Sequence, residues 1–184
     1  MPTVWISDLT HKSFFEMDEL YHFIKERPRT ETRENTYVIP LMSRFPRQIV
    51  SFAVEDSKSA KELQSVVDNA PQAYQYNTDG CHGYMEVIFP WYHKRNFSDK
   101  KDTHNIESVN ADLRDYIPGL RRRSRCFFRS LETMRAVLSV FVNAYNKFGE
   151  AKYKYRQRLF ETYGPISKFW SQYKDPPFSL FEFI

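Results

Sequence analysis

Glycine is scarce in this chain, five residues in 184. So few leave no Gly-rich phosphate loop and no glycine-flanked nucleophile elbow, which removes P-loop nucleotide enzymes and serine or cysteine hydrolases of that type. Cysteine is scarcer still, with only Cys81 and Cys126. They make no CxxC pair, and the adjacent Cys81-His82 has no second pair to complete a zinc site. Two separated thiols suit a reducing compartment. No apolar run approaches the ~20 residues of a membrane-spanning helix. The opening residues, Met1-Pro2-Thr3-Val4-Trp5, lack the basic and apolar zones of a secretory signal. A cytoplasmic protein without a membrane partner is therefore expected, and no internal repeat is present.

Aromatic residues are plentiful: sixteen Phe and twelve Tyr contribute to an aromatic content of 17%, enough to fill one core. The formal charge is +4 and the pI about 9.0, which suits a polyanionic partner without demanding one. The length fits one domain with an appendage. Residues 1–13 read as a lead-in, 14–148 as the body of the domain, and 149–184 as a basic, aromatic C-terminal extension. That extension contains Lys152-Tyr153-Lys154-Tyr155-Arg156-Gln157-Arg158.

Apolar residues on both parities predict an interior strand from Phe14 to Ile24. The charged stretch from Lys25 to Asn35, carrying Pro28, reads as a hairpin connection or a disordered tip. Strands are expected over Thr36–Met42 and Gln48–Val54, joined by a turn at Phe45-Pro46. Ser59 caps a helix from Ala60 to Asn69, with Leu63, Val66 and Val67 apolar. A fourth strand is expected over Ala73–Tyr76, a turn at Asp79-Gly80, a fifth strand over Glu86–Phe89 and a loop over His93–Asp102. Ile106, Val109, Leu113 and Ile117 predict a second helix, which Pro118-Gly119 ends, with His104 one turn before it. A third helix starts after Ser130 and stops at Gly149. Three strands, a crossover helix and a fourth strand returning parallel to the sheet form a restricted topology. It matches the front half of an RNase H-like fold: an α/β mixed sheet with flanking helices.

That topology places Asp18 on the central strand and Asp79 just past its neighbour. Glu107 stands in the first turn of the second helix, with Asn110 and Arg114 on the same polar face. Three carboxylates from three elements can hold two divalent ions over a phosphodiester. Taken singly, each acid has a plainer reading: strand end, turn former, solvated helix residue. Glu16 and Glu19 read as strand-end acids facing water. Arg121, Arg122, Arg123, Arg125 and Arg129 form a dense cationic cluster, suited to phosphate or simply to solvent. Phe127 and Phe128 stack on bases or anchor this segment to the core. His104 reads equally as an orienting group or as a helix cap.

These residues resemble the catalytic domain of the IS1-like insertion-sequence transposases, DDE enzymes with an RNase H-like fold. The first acid of that pattern stands in an E-L-D-E strand, here Glu16-Met17-Asp18-Glu19. The second stands in a D-x-x-x-Y turn, here stretched between Asp79 and Tyr84. The third block is the specific one: Lys100, Thr103, Ile106, Glu107, Asn110, Leu113 and Arg114 match K-x-x-T-x-x-I-E-x-x-N-x-x-L-R in register. The family's F-S-K-S corresponds to Phe127-Phe128-Arg129-Ser130, with Phe128 for Ser and Arg129 for Lys. The resemblance implies Asp18, Asp79 and Glu107 as catalytic and metal-binding residues, and Mg²⁺ as cofactor, with Mn²⁺ as substitute. It implies DNA contacts from Lys100, Asn110, Arg114 and the arginine cluster, with His104 as an auxiliary group. The implied partners are double-stranded DNA at element ends and target, further copies of the chain on DNA, and an upstream-frame DNA-reading partner or fusion. The implied location is the nucleoid. The expectations are the downstream reading frame alone, a truncated remnant or a catalytic module recruited elsewhere. Two other functions stay open: a non-catalytic DNA-binding regulator, and an RNase H-like nuclease that cuts without strand transfer.

Overall fold

The computed structural model describes residues 13–24, 34–97, 102–121, 126–163 and 176–184. The expected lead-in, most of the charged 25–35 connection, and Lys100, Arg122, Arg123 and Arg125 lie outside the described residues. The chain is a mixed α/β protein built on one six-stranded sheet with helices on both faces. Its strands are β1 (Phe14–Met17), β2 (Leu20–Ile24), β3 (Glu34–Ser43), β4 (Gln48–Glu55), β5 (Gln75–Asp79) and β6 (Tyr92–Asn96). The helices are α1 (Ala60–Asp68), α2 (His104–Tyr116) and α3 (Leu131–Tyr163).

The strand expected over Phe14–Ile24 is two strands in a single line. β1 pairs antiparallel with β3 through Phe15↔Ser43 and Met17↔Leu41, and β2 continues the same register from Leu20↔Val38. The ladder lapses only at Asp18 and Glu19. In that register Asp18 stands opposite Pro40, which has no N–H to give a partner strand. On its other side β3 pairs with β4, from Tyr37↔Glu55 to Ser43↔Gln48. β1 pairs parallel with β5, and β5 parallel with β6.

Alternation sorts the side chains onto two cores. Phe15, Met17, Ile39 and Leu41 face α1, where Leu63 and Val66 complete the packing with Tyr76 and Tyr84. Leu20, Val38, Met42 and Val54 face the other way, against Ile106 and Leu113 of α2 and Met134 and Leu138 of α3. Each such burial stabilises by about 1.5–3 kcal/mol relative to exposure.

Several boundaries differ from the sequence expectation. The fifth strand is β6, not Glu86–Phe89, which follows a short 3₁₀ turn at His82–Met85. β6 reads Tyr-His-Lys-Arg-Asn and buries no side chain fully. It is an edge strand held by its ladder to β5, so it carries no apolar alternation. Ser59 does not cap the α1 backbone; its hydroxyl bonds the Glu62 carboxylate. His104 is the first residue of α2 rather than one turn before it. Ser130 does cap α3, accepting from the Thr133 N–H at 3.2 Å.

α3 runs straight through Gly149. A Cβ there would sit 3.1 Å from the Arg47 carbonyl oxygen, so the missing side chain lets the helix pass close under the β3–β4 turn. Glycine marks a close approach here, not an end. Asn146 fastens the same crossing: its amide donates to the Ile49 carbonyl and accepts from the Ile49 N–H, both at 2.9 Å. Beyond α3, Leu180 is buried in the α2–α3 core, and Phe178 and Phe183 pack around Phe148.

Candidate active site

Asp18 and Asp79 meet at the C-terminal ends of adjacent parallel strands. The β1–β5 register runs Phe14↔Gln75, Phe15↔Tyr76, Glu16↔Asn77. Carried two residues further, it sets Asp18 beside Asp79, with neighbouring strands about 4.8 Å apart. The C-terminal edge of such a sheet is where open α/β folds place their ligands. Asp79 Oδ1 accepts the Cys81 N–H at 2.8 Å, so this acid does form the turn after β5. Asp18 Oδ2 accepts from Asn110 Nδ2 of α2 at 3.0 Å.

The electrostatics of this corner are unbalanced. Burial, then the charges of Glu19 and Asp79, push the Asp18 carboxyl up to about 6; its Asn110 hydrogen bond pulls the other way. Glu19 is also raised, chiefly by burial, with Asp79 adding to it and Tyr84 and Lys58 opposing. The Tyr84 phenol is raised well above its ordinary value by burial, and then by Glu19, Asp18 and Asp79. Lys58 is the nearby counter-charge, 3.7 Å from Glu19 Oε2. Burial pulls its ammonium down, but Glu19 and Cys81 outweigh that and raise it. Tyr84 Oη approaches Glu19, yet neither Glu19 Oε1 nor Tyr84 Oη completes a hydrogen bond of ordinary geometry. Asn110 Oδ1 is likewise buried without a donor.

Glu19 was not identified from sequence as part of this corner. The Glu19 side chain is only 6% exposed, and Glu16 is completely buried, so neither faces water as expected. Glu16 lies on the α2 side of the sheet, where Arg44 Nε (2.5 Å), Asn105 Nδ2 (2.7 Å) and the Ile106 N–H (2.9 Å) all donate to it. It clamps the first turn of α2 onto β1. No pattern in the sequence signals this, because its partners lie far along the chain.

Glu107 stands in that clamped first turn, half-buried, one helical turn before Asn110. The structure brings Asp18 and Asp79 together, and Asn110 onto Asp18. It does not gather Glu107 with them into a trio: among the described residues no three His, Cys, Asp or Glu side chains stand where they could hold a metal ion. His104 is exposed. Arg114 lies on α2 near His22, whose ring burial, then Arg114, holds below its ordinary pKa. Arg121 caps the end of α2, donating to the carbonyls of Arg114 (3.3 Å) and Asp115 (2.6 Å). Arg129 is exposed. Phe128 anchors its segment in the α2–α3 core against Gly119, where a Cβ would come within 2.6 Å of the ring.

The donor chemistry around Asp18 fits a hard divalent cation. It consists of carboxylates and an amide oxygen, two of those oxygens are buried without a donor, and the negative charge exceeds that of Lys58. Of the three acids expected to hold metal, Asp18 and Asp79 stand at this corner and Glu107 does not join them.

No protein-family model matches the sequence, and no curated protein matches it. Among solved structures, the chain is similar to one in the simian T-cell lymphotropic virus intasome in complex with PP2A regulatory subunit B56 gamma. The match has 14% identity over 58% of this chain and 40% of that one, with a TM-score of 0.43. This chain therefore spans less than half the length of the one it matches. No described helix is long and apolar enough to cross a membrane.

Proposed function

We propose that this chain is a metal-dependent phosphodiester-cleaving domain of the RNase H-like, DDE type, related to IS1-like insertion-sequence transposases. It would cut DNA at an element's end and direct the freed 3′-hydroxyl onto a target phosphate. The observation that carries the reading is the placing of Asp18 beside Asp79 at the ends of adjacent parallel strands, where burial, then Glu19 and Asp79, raise the Asp18 carboxyl. The antiparallel three-strand unit, the crossover helix and the parallel fourth strand support the fold assignment. Glu107 is the third acid by its place in the block running from Lys100 to Arg114.

Bound Mg²⁺, or Mn²⁺ in its place, would activate an oxygen nucleophile and relieve charge at the leaving oxygen. The chain's own groups set the stage for it. The Asn110 amide orients Asp18, Lys58 limits the charge that Glu19 adds, and Glu16 fixes the turn that presents Glu107. Arg114, Arg129 and the arginines following Arg121 serve the DNA phosphates. Joining two ends to one target requires two active sites, so the working form on DNA is a dimer or larger.

The test is nicking of supercoiled plasmid in Mg²⁺ or Mn²⁺, with joining of a 3′-hydroxyl oligonucleotide scored in parallel. Asp18→Asn, Asp79→Asn and Glu107→Gln should each reduce cleavage at least about 100-fold, while leaving duplex binding intact. Cleavage indifferent to Asp18→Asn and Asp79→Asn removes the reading. Full activity of Glu107→Gln alone shifts the third acid to Glu19. Nicking without joining reduces the function to that of a nuclease.

A further inference from the structure

We propose that Phe97 stacks on an unpaired DNA base presented at the Asp18–Asp79 corner, with the Asn96 amide donating to the same nucleotide. The proposal names the form of substrate that this corner takes, and rests on the reading above only for DNA as the polymer.

Phe97 directly follows the last residue of β6, at the same edge of the sheet as the two acids. The β5–β6 register pairs Asp79 with Asn96, so these two share a face on adjacent parallel strands. The Phe97 ring is 75% exposed and belongs to neither core. It is nevertheless held in place. Arg95 Cζ lies 4.8 Å over the ring centre, and the Arg95 guanidinium donates to the Gly80 and Cys81 carbonyls at 3.1 and 3.4 Å. A Cβ on Gly80 would come within 2.9 Å of the ring, so the ring rests on the turn after β5. The Asp79 carboxylate fixes that same turn through the Cys81 N–H. Gly80 and Asp79 are chain neighbours, their Cα atoms about 3.8 Å apart.

An exposed ring with a guanidinium behind one face presents its other face as a stacking surface. Beside it, Asn96 Nδ2 is buried without an acceptor among the described residues. Such a donor is unfavourable until an oxygen meets it, and the broad terminal torsion of asparagine lets it turn toward one. The site thus offers a ring face and an unanswered donor, one strand away from Asp18. An acidic peptide would meet the donor and leave the ring unused. An apolar peptide would find a single ring beside two carboxylates. A fully paired duplex keeps its base faces stacked inside. An unpaired base satisfies both groups, because it has a face for the ring and its nucleotide has oxygens for the amide.

The experiment is fluorescence anisotropy with the intact chain carrying Asp18→Asn, so that binding is read without cutting. The probes are a labelled duplex and the same duplex with two mismatched pairs at one end, which frees the terminal bases. Phe97→Ala, Phe97→Trp, Asn96→Ala and Phe45→Ala are compared in that background. Phe45 is the control: it is also an exposed ring, but on the β3–β4 turn at the opposite edge of the sheet, where Ser43 pairs with Phe15. The frayed duplex should bind about tenfold more tightly than the paired one. Phe97→Ala should erase that preference while paired-duplex affinity changes less than about twofold, and Phe97→Trp should keep it. Asn96→Ala should weaken the frayed duplex about fivefold and spare the paired one. Phe45→Ala should change neither. Equal affinity for the two duplexes, a preference that survives Phe97→Ala or is lost in Phe97→Trp or Phe45→Ala, or frayed-end binding unchanged by Asn96→Ala each overturns the proposal. The two readings fail separately. If the unaltered chain never nicks plasmid but the Phe97-dependent preference holds, the stacking site stands and the cutting reading falls. A nicking chain without the preference gives the reverse.

Discussion

Glu16 and Asp18 are two residues apart, on one strand line and on the same side of the sheet, yet the fold treats them oppositely. Glu16 is completely buried and fully answered by a guanidinium, a side-chain amide and a backbone N–H. Asp18 accepts from the Glu19 backbone and the Asn110 amide, and is repelled by Glu19 and Asp79. A carboxylate with three donors spread over both oxygens has little left for a ligand. One whose charge is resisted by its surroundings is stabilised by whatever cation arrives. Burial alone therefore does not mark an acid as functional; the mismatch between burial and compensation does.

The same isosteric exchange at the two positions should have opposite signs. Glu16→Gln leaves an amide NH₂ facing Arg44 or the Ile106 N–H and strips the ion pair, so it should cost about 3 kcal/mol of stability. Urea unfolding would read this as a lower midpoint at unchanged slope. A loss below about 1 kcal/mol would mean that the clamp is not holding α2.

Asp18→Asn should do the reverse. The Asp18 carboxyl titrates at about 6 in the fold against an ordinary 3.8. The folded state thus keeps a proton that the unfolded chain releases. The associated stability is complete below about pH 4 and is lost as the pH rises through 6. At pH 7.5 the Asn variant should be more stable by up to about 2 kcal/mol after allowing for solvent screening, or roughly 4–8 °C in Tm. Thermal melts at pH 4 should show that gap closing. Millimolar Mg²⁺ should narrow it at pH 7.5 by stabilising only the parent. A gap independent of both pH and Mg²⁺ would break the comparison.

The cations supply the smallest effect. Arg121 ends on the last carbonyls of α2, its side chain 54% exposed. Arg121→Ala should cost about 0.5 kcal/mol by loss of that cap. If capping is its whole role, duplex affinity and its salt slope stay unchanged; a slope reduced by about 0.9 returns Arg121 to the phosphate contacts.

The Asp18–Asp79 pairing was legible because a strand, a crossover helix and a parallel return leave few alternatives for which strand ends meet. The α2 register was legible from Ile106, Val109 and Leu113. What escaped was set at a distance. The burial of Glu16 depends on Arg44 and Asn105, and the length of α3 on the Arg47 carbonyl passing above Gly149. β6 is a polar edge strand held by backbone bonds that have no side-chain signature. The entry of Glu19 into the acidic corner depends on the lapse in the ladder, which a strand read by parity alone does not contain.

That lapse bears on how a cation can reach the acidic corner. In an unbroken strand, successive side chains are locked to opposite sides, and Asp18 and Glu19 would be insulated from each other by the sheet itself. Opposite Pro40 the ladder lapses for two residues without a change of register, and both acids feel Asp79 from their two sides. The sheet is rigid on either side, through Met17↔Leu41 and Leu20↔Val38. The short span between leaves Asp18 and Glu19 outside the β3 ladder, so a cation reaching their carboxylates meets no strand pairing that it would have to break.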